Sequence, residues 1–305
     1  MNIINYYGYP GIGDLIWGLM YIYPNIKNDM NIHIYSSKSN TGRSKFLNNL
    51  DRVIKVSEFR PPGTLTSIFD SKRNSYIDLD NLNDVNDIYL GLNKFLESGK
   101  RIEQFLPKLK VTFDLPWNED QCMKNEAIKY GTNSIIIYTS KVTNNNTKPI
   151  IVTNNKNCKT NSIYSTWCKE DWLNLVKNIQ LTYPNKQLIW IGASYDTSMK
   201  DYLIQNGIKN VKYFIDYPAT FIIPLLRSCD AFISYQSGLS VISVLEKTPS
   251  FMVYFNILSN LRYSWCPPES IDNKKLYNPV LFDDISKNPD LPLEWLDSVI
   301  QHKEY

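Results

Sequence analysis

The chain has 305 residues, of which 43% are hydrophobic and 21% charged, and its net charge at pH 7 is +3. This content supplies one large or two medium apolar cores and excludes intrinsically disordered and collagen-like chains. Two histidines are too few for most Ser-His-Asp, Cys-His and multi-histidine metal sites, and the five cysteines contain no C-x-x-C pair. The basic residues are scattered, so the charge permits nucleic-acid binding without indicating it.

The sequence carries no signal for membrane insertion or secretion. No apolar run reaches the roughly 18 residues of a membrane span. The first residues, Met1 to Asn5, lack the basic region and cleavage site of a signal peptide. We therefore expect a cytoplasmic protein without a transmembrane segment, whose cysteines are ordinary thiols.

Strands and helices alternate along the first part of the chain. A β-prone run, Asn2–Tyr7, meets glycines at positions 8, 11 and 13, and apolar residues then recur at helical spacing from Asp14 to Tyr23. Further strands are predicted at 31–35, 52–55 and 75–79, with helical patterns at about 41–49 and 86–98. This alternation predicts a parallel sheet.

A second series begins with the strand Ser134–Tyr138 and resumes after a polar stretch from about 139 to 165. Its further elements are helix 169–180, strand 187–191, helix 197–205, strand 211–215, helix 219–228, strand 231–234, helix 238–246 and strand 251–255. Two such series predict an α/β protein of two Rossmann-like βαβ domains that face each other across a cleft. We place them at 1–125 and 126–290, before a C-terminal helix, 291–305, that can pack back on the N-terminal domain.

The loop from Gly8 to Asp14 places glycines where a strand turns into a helix. Backbone amides can approach a phosphate or sugar there, and the helix dipole favours an anion. The pattern is not G-x-G-x-x-G, and Ser36-Ser37 stand where a nicotinamide enzyme has its ribose-binding acid, so a dehydrogenase is disfavoured. Asp14 itself is compatible with a helix-capping acid or with a general base.

A second loop follows the buried strand 231–234 and contains Gln236, Ser237, Gly238, Leu239 and Ser240. The free amides of the next helix, together with the two serine hydroxyls, suit a diphosphate. A plain helix cap is the alternative interpretation.

Taken together, these motifs resemble glycosyltransferase family 9, the heptosyltransferases. The matching pieces, in order, are Pro10–Asp14, Tyr76–Asp80, Trp167, Ile189–Gly192 and the run from Leu225 to Pro249. The resemblance implies a GT-B fold and an inverting, metal-independent enzyme without a cofactor. It implies that the N-terminal domain holds the acceptor and the C-terminal domain a nucleotide-diphosphate sugar.

The resemblance also implies roles for individual residues. Asp14 becomes the general base. The donor and diphosphate site comprises Gln236, Ser237, Gly238, Leu239, Ser240, Lys159, Trp167 and Gly192. The acceptor-side loop comprises Tyr9, Pro10, Gly11, Ile12, Gly13 and Trp17, although packing is the default role of a tryptophan such as Trp17 or Trp172.

The chain departs from the family pattern at three positions. Gln236 replaces an aspartate, Val241 replaces a histidine, and Ser165-Thr166 stand directly before Trp167, where the family has a lysine. Lys156 or Lys159 in the polar stretch would then supply the phosphate contact. Donor contacts must therefore differ from those of the family, and the donor base and sugar stay open.

Several alternatives remain at this point. Asp78 and Asp80 form a D-x-D pattern that could bind a metal, but their place at a predicted strand end favours a strand terminus and no metal site. The acceptor is expected to be a saccharide, with a modified base in DNA as the alternative. Two competing functions remain: a sugar-nucleotide epimerase, and a binding protein that keeps the fold without turnover. We expect a monomer or small homo-oligomer.

Overall fold

The computed structural model describes residues 2–8, 11–36, 44–58, 82, 86–90, 95, 98–139, 169–194, 197–254, 259 and 261–300. The chain divides into two compact units. The first comprises Met1–Asp120 and Tyr263–Pro267, and the second comprises Gln121–Arg262 and Pro268–Tyr305. Each contains one parallel sheet, which confirms the predicted α/β class. Within these residues, no helix combines the length and apolarity needed to cross a membrane.

The sheet of the first unit has four parallel strands in the order β3-β2-β1-β4. They are β1 (Asn2–Gly8), β2 (Met30–Ser36), β3 (Val53–Glu58) and β4 (Asp87–Leu90). Helix α1 (Ile12–Asn25) follows β1, a 3-10 turn covers Lys45–Asn49, and α2 (Ile102–Phe105) is a single turn. Every residue of α1 from Leu15 to Tyr23 is buried, as expected for a helix that is apolar on all sides.

Two predictions for this unit are wrong. The pattern at 86–98 predicts a helix, but Asp87–Leu90 is a strand whose Ile88 pairs with Tyr6 of β1. Pairing with a neighbouring strand outweighs the local pattern. The predicted helix at 41–49 is a 3-10 turn in its described part. The predicted strand 75–79 lies outside the described residues, as do Asp78 and Asp80.

A short segment from the later part of the chain joins the first unit through hydrogen bonds. Arg101 donates to the carbonyl oxygens of Tyr263 (2.5 Å) and Cys266 (2.9 Å). The amide of Ile102 donates to the carbonyl of Ser264 at 2.6 Å. These bonds explain why Tyr263–Pro267 groups with the first unit although the residues on both sides belong to the second.

The second unit has six parallel strands in the order β10-β9-β8-β5-β6-β7. They are β5 (Ser134–Tyr138), β6 (Gln187–Gly192), β7 (Val211–Ile215), β8 (Ala231–Tyr235), β9 (Ser250–Tyr254) and β10 (Tyr277–Leu281). This is the order of dinucleotide-binding sheets, in which the direction of winding reverses between β5 and β8. Ligands of such sheets bind beyond the carboxyl ends of the strands at that reversal.

The helices of the second unit are α3 (Gln121–Gly131), α4 (Lys169–Thr182), α5 (Thr197–Gln205), α6 (Ala219–Ser228), α7 (Gly238–Leu245), α8 (Pro268–Ile271), α9 (Phe282–Lys287) and α10 (Leu291–Ile300). The core of the unit contains Trp172 and Trp190, whose rings meet edge to face. The last helix, α10, belongs to the second unit. Trp295 and Leu296 of α10 lie in the core of the second unit, because their helix presents its apolar face to that sheet.

Candidate functional site

Asp14 occupies the third position of α1, directly after the glycine loop. Its Oδ2 accepts a hydrogen bond from the amide of Gly11, the N-cap residue, at 3.2 Å. The capping interpretation of Asp14 is therefore correct as a description of its geometry. Ile12 and Gly13, the first two helical residues, are half-buried, and helical geometry gives their amides no acceptor within the helix. Tyr9 and Pro10 lie outside the described residues.

Burial changes the acidity of the Asp14 carboxyl group. Removal from solvent raises its pKa from 3.8 to about 6, and the hydrogen bond from Gly11 opposes this rise only in part. The carboxylate is thus ionised at neutral pH but remains a stronger base than an exposed aspartate. A carboxylate with these properties is suited to accept a proton from a substrate hydroxyl.

Trp17 does not have the position that its assignment to the acceptor-side loop requires. The side chain is 3% exposed, and its ring packs against Tyr21, Phe95 and Phe105. Those contacts cover the ring, so Trp17 is a core residue that supports α1. Trp172 is fully buried against Trp190 and Tyr235, as its packing interpretation predicted.

The loop between β8 and α7 is organised by two serines. The amide of Ser240 donates to Oγ of Ser237 at 3.2 Å, and the amide of Ser237 donates to Oγ of Ser240 at 2.6 Å. This reciprocal capping box is the helix-cap arrangement predicted as the alternative to a diphosphate site, and it occupies both hydroxyl oxygens. Gly238 and Leu239, the first two helical residues, contribute the amides that have no acceptor within the helix.

Two polar side-chain atoms near the winding reversal are buried without a hydrogen-bond partner among the described residues. They are Oγ1 of Thr139, which follows β5, and Oε1 of Gln236, which follows β8. The amide of Gln236 donates to the carbonyl of Val253 at 2.9 Å, which fixes its backbone. Buried polar atoms in native proteins are nearly always paired, so these two are candidates to bind a ligand or water.

Of the remaining predicted donor residues, only Gly192 can be located. Gly192 ends β6, and its carbonyl accepts from the amide of Asp216 at 2.9 Å. Lys159 and Trp167 lie outside the described residues. In the described part of the chain, no three His, Cys, Asp or Glu side chains group as metal ligands.

Sequence reasoning missed two residues beside these loops, Tyr6 and Thr139. Tyr6 is fully buried under the start of α1, and Thr139 is 1% exposed. The strand alternation that predicts a buried position 6 carries no information about its hydroxyl group. A threonine directly after a buried strand is a weak signal, because a backbone cap satisfies its hydroxyl in many proteins.

No protein-family model matches the sequence, and comparison with curated proteins gives no significant match. Among solved structures, the chain is similar to ADP-heptose LPS heptosyltransferase II of Escherichia coli, with a TM-score of 0.55, 12% identity and 100% of both chains covered. It is also similar to a family 9 glycosyl transferase from Veillonella parvula, with a TM-score of 0.54, 10% identity, and 96% and 89% covered. The chain therefore has the GT-B fold of the heptosyltransferases.

Proposed function

We propose that this protein is an inverting, metal-independent glycosyltransferase that moves a sugar from a nucleotide-diphosphate sugar to an acceptor hydroxyl. The carrying observation is the Asp14 carboxylate, which is held at the start of α1 by Gly11 and has a pKa raised to about 6. The fold supports the proposal, since one protein of the same fold is an ADP-heptose heptosyltransferase. The acceptor class we propose is a saccharide.

In the proposed reaction, the acceptor oxygen attacks the anomeric carbon of the donor from the face opposite the diphosphate. The new carbon–oxygen bond forms as the bond from the anomeric carbon to the diphosphate oxygen breaks, and the diphosphate leaves with that electron pair. The acceptor hydroxyl gives its proton to the Asp14 carboxylate. Attack from the opposite face inverts the anomeric centre.

The leaving diphosphate gains negative charge, which the protein must stabilise. We assign this role to the amides of Gly238 and Leu239 at the start of α7, where the helix dipole is positive. Oriented amides can provide this stabilisation without a divalent cation. Both Oγ1 of Thr139 and Oε1 of Gln236 are unpartnered among the described residues. Oε1 of Gln236 would accept a hydrogen bond from the bound nucleotide sugar, and the Thr139 hydroxyl would donate one to it or accept one from it.

The test is release of nucleotide from a donor panel. The protein is incubated with ADP-, UDP-, GDP- and dTDP-sugars, with and without saccharide acceptors and EDTA. Release from one donor that persists in EDTA, with an inverted product by NMR, is the expected result. Loss of release in EDTA would contradict metal independence, and a retained anomeric configuration would contradict the mechanism. Saturable donor binding without release under every acceptor would indicate a binding protein instead.

Removing one amide from the donor loop should weaken donor binding. Gly238→Pro deletes the Gly238 N–H but suits the first position of a helix, and the extended backbone of Ser237 (φ −159°, ψ 176°) is compatible with a following proline. We expect the Kd for the donor to rise about 10- to 100-fold, since hydrogen bonds to charged groups contribute about 1.5–3 kcal/mol. Calorimetry or nucleotide-release kinetics measures the change.

Gly238→Ala is the matched control, because it adds a side chain and keeps the amide. Its Kd should remain within a few fold of wild type. Equal weakening by both substitutions would point to steric disturbance of the loop and against the amide contact.

The pH dependence of transfer should follow the ionisation of the Asp14 carboxyl group. The base must be ionised, so kcat/KM should be constant above its pKa and fall about tenfold for each pH unit below it. With a pKa of about 6, the decline begins near neutral pH, well above the 3.8 of an ordinary aspartate. Initial rates between pH 4.5 and 8 measure the profile. A rate that stays constant down to pH 5 would contradict the assignment of Asp14 as the base.

A further inference from the structure

Tyr6 lies on β1 directly beneath the first turn of α1. Its ring is fully buried, and its hydroxyl lies 3.4 Å from the carbonyl oxygen of Asp14 and 3.3 Å from that of Leu15. The hydroxyl therefore donates to the backbone of the same turn that carries the Asp14 side chain. Burial, with the nearby Asp14 charge, holds the pKa of this phenol well above its usual range, so it stays a neutral donor.

Two glycines make room for this hydroxyl. A Cβ at Gly18 would lie 1.9 Å from the Tyr6 oxygen, and a Cβ at Gly8 would lie 2.9 Å from it. A Cβ at Gly8 would also lie 2.2 Å from Cδ2 of Leu15. The strand, the loop and the helix thus approach one another closely around one phenol oxygen, which leaves the helix start little freedom to shift.

We infer that Tyr6 is a positioning residue: its hydroxyl, seated against Gly8 and Gly18, fixes the first turn of α1 and with it the side chain of Asp14. The expected effect of Tyr6 on catalysis rests on the proposed function, because it requires that Asp14 acts as the general base. The expected effect of Tyr6 on the position of the Asp14 carboxyl group does not depend on the proposed function. The Asp14 carboxyl group accepts from the Gly11 amide, while the Tyr6 hydroxyl contacts the backbone carbonyls of Asp14 and Leu15 and not the carboxyl group itself.

The experiment compares Tyr6→Phe with Tyr21→Phe. Tyr21 is a buried tyrosine on α1 whose hydroxyl donates to the carbonyl of Ile102, so its loss removes the same kind of bond far from Asp14. Tyr6→Phe removes the hydrogen bonds to the carbonyls of Asp14 and Leu15, so we expect the first turn to loosen and the carboxyl group to gain contact with water. Because removal from solvent is the largest cause of the raised pKa of Asp14, that pKa should fall toward 3.8 in Tyr6→Phe and remain at about 6 in Tyr21→Phe.

Two measurements separate this inference from the proposed function. Titration of the ¹³C-labelled Asp14 carboxyl by NMR needs no turnover, and steady-state kinetics with the active donor measures catalysis. We expect Tyr6→Phe to lower kcat at least tenfold with KM within twofold, and Tyr21→Phe to leave both unchanged. Incorporation of 4-aminophenylalanine at position 6 restores a donor and should restore the Asp14 pKa and kcat, which also tests the inference if Tyr6→Phe does not fold.

An Asp14 titration that is the same in wild type, Tyr6→Phe and Tyr21→Phe would overturn the inference, whatever the kinetics show. A shifted titration in Tyr6→Phe without turnover in any variant would support the positioning role and count against the proposed function. A shifted titration with unchanged kcat would contradict the catalytic consequence of the inference.

Discussion

Asp14→Asn is expected to reduce transfer by about 10²- to 10⁴-fold, the contribution of a positioned general base. Asparagine keeps an oxygen that can accept the Gly11 amide, so the start of α1 should be preserved while the proton acceptor is lost. The KM for the donor should change little, since the side chain acts on the acceptor hydroxyl. Initial rates of nucleotide release measure the loss.

The same substitution should make the protein more stable at neutral pH. Because folding raises the pKa of Asp14 above its ordinary value, the carboxyl group costs stability once pH exceeds that value, and the full cost applies above about pH 6. A rise from 3.8 to about 6 corresponds to about 3 kcal/mol at most, and a neutral asparagine in place of Asp14 would remove that cost. The gain in Tm should be large at pH 7.5 and small at pH 4.5.

Asp284→Asn is the matched control for both effects. Asp284 accepts from the amide of Leu281 at 3.1 Å in the same position of helix α9, but it is exposed. Its replacement should leave transfer unchanged and should give no gain in Tm at pH 7.5. Transfer that survives Asp14→Asn within tenfold of wild type would remove Asp14 from the mechanism.

Gly18→Ala is expected to destabilise the first unit, although alanine is the better helix former by about 1 kcal/mol. The added methyl would lie 1.9 Å from the Tyr6 oxygen and 2.4 Å from its Cζ, and the buried ring has no space to move into. Overpacking of this kind costs about 1–3 kcal/mol and sometimes more. Thermal unfolding followed by circular dichroism should show a Tm lower by roughly 10 °C.

A smaller side chain at position 6 should restore part of the stability that Gly18→Ala loses. Tyr6→Leu removes the phenol oxygen and the ring atoms nearest the new methyl, so Tyr6→Leu with Gly18→Ala should be more stable than the two separate losses predict. The double variant should still transfer poorly, because it lacks the hydroxyl that donates to the first turn of α1. A Gly18→Ala protein as stable as wild type would show that the Tyr6 ring and α1 are not packed as described.

Much of the fold follows from patterns within short windows of sequence. Three strands of the second unit, Ser134–Tyr138, Ala231–Tyr235 and Ser250–Tyr254, are largely apolar runs, and all their residues are buried, as is usual for central parallel strands. The strand Tyr277–Leu281 was missed because Pro279 argues against a strand. Proline is tolerated there because β10 lies at the edge of the sheet. Asp87–Leu90 is not recognisable as a strand because four residues carry no period, and its pairing in the described part of the chain is with the distant β1.

The candidate site was predictable to the level of its loops and no further. Glycine and serine at the strand ends predict the starts of α1 and α7, and an acid in the first helical turn draws attention to Asp14. The use of both serine hydroxyls within the cap, the burial of Trp17 and the place of the Tyr6 hydroxyl depend on packing between distant segments. Such contacts leave no periodic trace in the sequence.

The order of the strands in the second unit bears on how that unit folds. Ile135 at the centre of its sheet pairs with Ala231. Three strand-helix-strand steps, through β6 and β7, separate these central partners along the chain. Closing so long a loop costs entropy before any apolar contact is gained, which slows folding of sheets with non-local pairing. Until β8 is in place, β5 presents an unpaired edge to other chains. We therefore expect early folding intermediates to aggregate at high concentration, and a bound donor, which would contact residues after both β5 and β8, to favour the completed sheet.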